Sequence, residues 1–329
     1  MPTAFALRIN IIRHHGDSRG SEDHNSLLLF FIVTATNSAQ ITDEIRWGLL
    51  QRKAQEVRAL RAFWLFRAQG IEPILIKGLA AGRYYPDSHP RLSIDMDLAV
   101  AGYDFAKADV IARAASPDGL AIDLHRELRH LDTARWADLF ANSDMLEVEG
   151  GTIRLLRPED HLRVICVHWL NDGGGNKERL WDVYYMVANR SADFDWDRFL
   201  QPVSERRRRW LICTIGLAHR FLGLDLDDTP IKDEARNLPA WLIKAVEKEW
   251  SSETSFIPLE TAVHDRSMLV KQILQRFRPN PIRATIEMEG SFDAKTRLFY
   301  QIGNFFMRIV PSYRRVSESI RGTSQKPDR

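Results

Sequence analysis

Two aspartates stand one residue apart in an otherwise apolar run, SIDMDLAV, residues 93–100. In a strand, residues i and i+2 project to one face. Asp95 and Asp97 would then point together, while Ile94, Met96 and Leu98 turn into a core. Two carboxylates on one face repel each other, and their burial is costly unless something pairs with them. A chain with such a strand must place it where a counter-charge can reach.

The flanking sequence says what kind of sheet carries it. Thr42 can cap a helix that runs to Gly70, with a loose apolar stripe through Ile45, Leu49, Val57, Leu60, Phe63, Trp64 and Phe66. IEPILIK, residues 71–77, reads as a short strand. Gly78 turns the chain into a short helix, LAAGRYY, which Pro86 ends. After SIDMDLAV come a helix over Tyr103 to Ala115 and a third strand, LAIDLHREL. MLEVEGGTIRLL then alternates about Gly150 and Gly151 as a hairpin. The order helix, strand, helix, strand, helix, strand describes a small α/β unit. From Pro158 onward the pattern is helical, so the second half is expected to be all-helical. The expected layout is an N-terminal extension over 1–40, a core over 41–157, a helical part over 158–312 and a polar tail over 313–329.

Composition narrows the classes. The chain of 329 residues is 44% hydrophobic and 27% charged, which is globular and not disordered. A net charge of +2 makes no case for specific or non-specific nucleic-acid binding. Cys166 and Cys213 lie in apolar helical contexts, as buried reduced thiols of a cytoplasmic protein do. Leu27 to Ala35, LLLFFIVTA, is too short to span a bilayer, which takes about 20 apolar residues. Glu22 and Asp23 just before it argue against a signal peptide, and it reads as a first core helix or strand.

The aspartates suggest a metal centre. A divalent cation removes the repulsion between two clustered carboxylates, and Mg²⁺ takes carboxylate together with phosphate oxygens. The third strand offers another carboxylate, Asp123, with His125 two residues on and on its face. An Asp-x-Asp signal alone is weak, and the chain contains controls. DFDWD, residues 193–197, and DLDD, residues 225–228, sit in loops and read as caps and turns. SIDMDLAV differs in lying within a strand pattern, after a Gly-to-helix turn. A helix N-terminus presents free N–H groups to an anion, so Gly78, with Lys77 or Arg91, would suit a triphosphate.

ILIKGLAAGRYYPDSHPRLSIDMDLAV, followed by AIDLHREL, resembles the nucleotidyltransferase superfamily of DNA polymerase β type, and more narrowly a bacterial family of uncharacterised nucleotidyltransferases. EDHLRVICVHWLNDGGGNKERLWDVYYMV resembles that family's helical pair, with His168 closing one helix and Arg179 to Asp182 opening the next. The resemblance implies an α+β fold, a small mixed sheet with flanking helices and an all-helical C-terminal half. It implies that Asp95, Asp97 and Asp123 bind metal, two Mg²⁺ ions with Mn²⁺ as substitute, and that Asp123 draws the acceptor proton. Lys77, Gly78 and Arg91 would hold an NTP of unspecified base. Lys77-Gly78-Leu79 departs from the Gly-Gly or Gly-Ser usual at that turn.

His125, His168 and Asp182 are candidates for binding the unidentified acceptor, and His168 and Asp182 also read as a structural pair. Arg206 to Arg209 read as a solvated helix face, and Trp181, Tyr184 and Tyr185 as core. Two other functions compete: a metal-dependent glycosyltransferase using a nucleotide-sugar, and an inactive binding or antitoxin-like module of the same fold.

Overall fold

The computed structural model describes residues 42–93, 95–128, 130–251 and 279–307. The run Leu27–Ala35, Ile94, the stretch 252–278 of the expected helical half and the tail over 313–329 lie outside them.

Helix α1 (Asp43–Arg67) begins where Thr42 accepts a hydrogen bond from the Ile45 N–H, 3.3 Å. It leads to β1 (Ile74–Ile76), the buried five-residue helix α2 (Gly78–Gly82) and β2 (Met96–Val100). Helix α3 (Phe105–Ala115) crosses to β3 (Ile122–Arg126). After α4 (Trp136–Ala141), β4 (Asp144–Val148) and β5 (Gly151–Leu155) form the expected hairpin. Helices α5 (Pro158–Asn171), α6 (Lys177–Ala188), α7 (Trp196–Leu200) and α8 (Glu205–Leu222) follow. Then come α9 (Lys232–Arg236), α10 (Ala240–Ser251) and α11 (Pro281–Glu287).

The five strands form one mixed sheet in the order β3-β2-β1-β5-β4. β1 is antiparallel to β2 and parallel to β5, β2 is parallel to β3, and β4 is antiparallel to β5. The parallel β2–β3 pair needs a crossover, and α3 supplies it. The pleat sorts the sheet's two faces. Leu75, Leu98, Val100, Ile153 and Leu155 pack with Phe63 and Phe66 of α1 and Ala108 of α3. Ile74, Ile76 and Ala99 turn the other way and join Trp169, Leu180 and Trp210 of the helical half in a larger core. The fold is therefore the α+β arrangement expected, with its sheet lying between α1 and α3 on one side and the helices on the other.

Local expectations meet different fates. Asp195 caps α7 through the Arg198 N–H, and the Asp225 carboxylate accepts from the Asp227 N–H, so both control segments are caps and turns. Cys166 and Cys213 are buried and free, and burial pushes the Cys213 thiol up to about 12. Only part of the α1 stripe is core: Val57 and Trp64 are exposed, whereas Leu60, Phe63 and Phe66 are buried. The run Arg206 to Arg209 is not a solvated face. Arg207 pairs with Glu289, Arg208 with Glu234 and Arg209 with Asp293, so the run ties α8 to its neighbours. A buried network, Asp132–Arg163–Asp160–Arg198, with contacts of 2.5–2.8 Å, does the same for α5 and α7. Among the described residues no helix is long and apolar enough to cross a membrane.

Candidate active site

The register of β2 on β3 builds the centre. Asp97 stands beside Asp123 and Ala99 beside His125, so Asp97, Asp123 and His125 share the sheet face that turns toward the helices. A carboxylate oxygen from each aspartate and an imidazole nitrogen lie within 4.8 Å of one another. His125 Nε2 is 3.3 Å from Asp97 Oδ1 and 3.6 Å from Asp123 Oδ2. Asp97 is buried, while Asp123 is 63% exposed and opens the centre to solvent. The two carboxylates are oxygen donors that suit Mg²⁺ or Mn²⁺, while the imidazole suits softer ions such as Zn²⁺, so the residues present fit a divalent ion through Asp97 and Asp123.

Lys77 supplies the counter-charge that Asp97 requires. Its Nζ is 2.5 Å from Asp97 Oδ1, and both side chains are nearly inaccessible, at 6% and 10% exposure. Burial drives the Asp97 carboxyl up. The His125 hydrogen bond and the Lys77 charge and hydrogen bond outweigh it and hold Asp97 below the usual range. The backbone at this turn is unusual. Lys77 and Gly78 have φ of 58° and 44°, and the Lys77 N–H donates to His161 Nε2 at 3.2 Å. Gly78 is there because a left-handed φ excludes most side chains. A Cβ on it would also lie 3.4 Å from the Asp95 carbonyl oxygen.

Asp95 is not brought to the cluster. β2 starts at Met96, so the pleat that would align Asp95 with Asp97 is not continued to it. Gln55 of α1 donates to the Ser93 carbonyl, and Ser93 Oγ donates to the Asp95 carbonyl at 3.2 Å. Asp95 is exposed and lines a small cleft with Gln55, Arg58 and Ala59 on the α1 side.

Arg91 and Asp182 are also placed otherwise than expected. Arg91 Nε and Nη2 contact the two Asp182 oxygens at 2.6 and 2.8 Å, and the Tyr85 hydroxyl donates to Asp182 Oδ1 at 2.7 Å. Burial lowers the Arg91 pKa, but the Asp182 charge and hydrogen bond raise it further, to a net rise. So the Arg91 guanidinium is engaged by Asp182, and Asp182 meets Arg91 and Tyr85, not His168. Trp181, Tyr184 and Tyr185 are half-buried and pack on one another and on His89, which bonds the Tyr185 hydroxyl at 2.8 Å.

His168 instead faces Asp172, with Nδ1 3.3 Å from Oδ2. Burial, then the charges of Lys77 and Arg179, push the imidazole down to about 3, so it is neutral. Burial raises the Asp172 carboxyl, which also feels Arg179, Lys77 and Asp97. These mutual effects set the His168–Asp172 pair in the electrostatic neighbourhood of the centre. Asp172 was not singled out in the sequence. A His at i and an Asp at i+4 at a helix end is its only signal.

Adjacent strands thus bring two carboxylates and an imidazole together beside a buried lysine, a group that could hold a metal ion. A family model described as "Uncharacterised nucleotidyltransferase" matches residues 38–223, more than half of the chain, and the chain belongs to that family. No curated protein and no solved structure matches it.

Proposed function

We propose that the protein moves a nucleoside monophosphate from an NTP, bound as its divalent-metal complex, to a hydroxyl or phosphate acceptor in the cytoplasm, releasing pyrophosphate. The observation that carries this reading is the convergence of Asp97, Asp123 and His125 on one face of the sheet. In the reaction the acceptor oxygen bonds to the α-phosphorus as the bond to the β-phosphate bridging oxygen breaks. The bound metal, two Mg²⁺ ions in the full reading, would neutralise charge on the phosphates and lower the pKa of the acceptor.

The chain's own residues do the rest. Asp97 would hold the metal that arrives with the nucleotide and Asp123 the second, and His125 fixes the Asp97 carboxylate. Asp123, the exposed carboxylate, takes the acceptor proton. Lys77 and the Gly78 turn hold the triphosphate. Asp95 completes the carboxylate set when β2 is extended by one residue, because the pleat then aligns it with Asp97. The His168–Asp172 pair, with neutral His168, would hydrogen-bond the acceptor.

The pairing of Lys77 with Asp97 also favours a second reading, a non-catalytic module in which lysine has replaced the metal for good. One assay separates them. The protein is mixed with Mg²⁺, each NTP labelled at the α-phosphate, and cell extract as the source of acceptor. Label transfer with pyrophosphate release supports the enzyme, and its absence with every NTP supports the module.

A further inference from the structure

Lys77 is set up in a way that an ordinary phosphate-binding lysine does not require. Its ammonium is turned inward onto Asp97, a proposed metal ligand, at 2.5 Å, and among the described residues it has no other ion-pair partner. Its backbone is pinned by the hydrogen bond to His161 and by the left-handed turn at Lys77 and Gly78. The flexible four-carbon stem is therefore the part free to move. A metal ion bonds a carboxylate oxygen at about 2.0–2.1 Å. At Asp97 Oδ1 it would compete with the ammonium for the same oxygen, and two cations so close would repel each other. Among the described residues Asp123 has no lysine partner, so the competition lies on the buried side of the centre.

Resting on the functional reading above, we infer that Lys77 is the resident counter-cation of the centre: it holds Asp97 until a metal–nucleotide complex arrives, then yields the carboxylate to the metal and moves onto the triphosphate. The divalent ion is thus taken up with the nucleotide and not before it. The lysine is a positioning residue for the metal. It removes the repulsion of the two carboxylates in the free protein, and its charge is reused on the phosphates. Nucleotide triphosphate is the one ligand that brings both the cation Asp97 needs and the anion the displaced ammonium needs.

The test is Mn²⁺ binding to the full chain, followed by the loss of the free-ion EPR signal, with and without a non-hydrolysable α,β-methylene NTP. In the wild type, free Mn²⁺ binds weakly and the nucleotide analogue tightens it. Lys77→Met, which keeps the stem and removes the charge, is expected to bind free Mn²⁺ at least tenfold tighter, about 1.4 kcal/mol, and the Mn²⁺–nucleotide complex more weakly. Damage to the fold would weaken both, so this inversion is a signature that a merely structural role does not produce. If Lys77→Met does not fold, the wild-type comparison alone decides: Mn²⁺ bound equally tightly with and without nucleotide overturns the inference. Equal free-Mn²⁺ affinity in wild type and Lys77→Met also overturns it, while leaving the transferase reading in place. Mn²⁺ that binds neither protein, even with nucleotide, removes the metal centre itself and both ideas with it.

Discussion

Replacing Asp97 by asparagine should destabilise the protein, although a cluster of carboxylates suggests the opposite. If Asp97 merely repelled Asp95 and Asp123, losing its charge would raise the melting temperature. The structure reverses the sign. Asp95 is outside the cluster, and Asp97 is the partner of a lysine that is only 6% exposed. Removing one member of a buried pair costs about 3–5 kcal/mol, because the other charge is left uncompensated. Asparagine keeps an oxygen that can accept from Nζ, which puts the expectation at the lower end, about 3 kcal/mol. For a chain of this size that is a fall in Tm of roughly 5–10 °C. The assay is a thermal melt without metal at neutral pH, with the double variant Asp97→Asn/Lys77→Met beside it. If the pair is the cause, the double variant loses less than the sum of the single ones. An Asp97→Asn protein that melts at or above the wild-type temperature would refute the argument.

Asp95→Asn is the contrasting case: this exposed residue should change stability by no more than about 0.5 kcal/mol, yet transfer should fall sharply if β2 extends to it, as a melt and a pyrophosphate-release assay will show. Asp123→Asn should leave Mg-NTP affinity in isothermal titration within a few-fold of wild type while transfer falls by at least about 10²-fold, the lower end for a positioned proton acceptor. Folding stability should also decline on acidification. His168 is held neutral down to about 3 in the folded protein, whereas in the unfolded chain it takes up a proton near its ordinary value, about 6.5. Its contribution is complete above that value and is lost as pH falls toward the folded one. His168→Gln should flatten the pH dependence of unfolding between those limits, and an unchanged slope would remove the residue from the account.

What could be read from sequence was whatever depends on neighbours along the chain. The Thr42 cap, the Gly150–Gly151 hairpin and the shared face of Asp123 and His125 follow from spacing alone, and all are present. The joining of Asp97 to Asp123 needed only the guess that their strands adjoin. What could not be read were pairings across long separations. Arg91 meets Asp182, 91 residues away, because a loop and a helix happen to face each other in the fold. The arginines of α8 find carboxylates that no periodicity announces. Asp95 lies outside the cluster for a different reason: alternation holds only where a strand continues, and β2 begins at Met96. Lys77 turns inward because its φ is positive, and a lysine before a glycine does not advertise that.

The Arg91–Asp182 contact has a consequence for anyone who would shorten this protein. A fragment ending near residue 157 contains every strand and every residue of the metal cluster, and on paper it is a complete catalytic piece. It would leave Arg91 and the Tyr85 hydroxyl without the carboxylate that both of them use. It would also strip from Ile74, Ile76 and Ala99 most of the cluster they join, including Trp169, Leu180 and Trp210. The loop and the helix that share this contact must therefore be inherited, expressed and altered together. A gene cut between them should leave a half with an exposed apolar face, and a change at Arg91 calls for an answering change at Asp182.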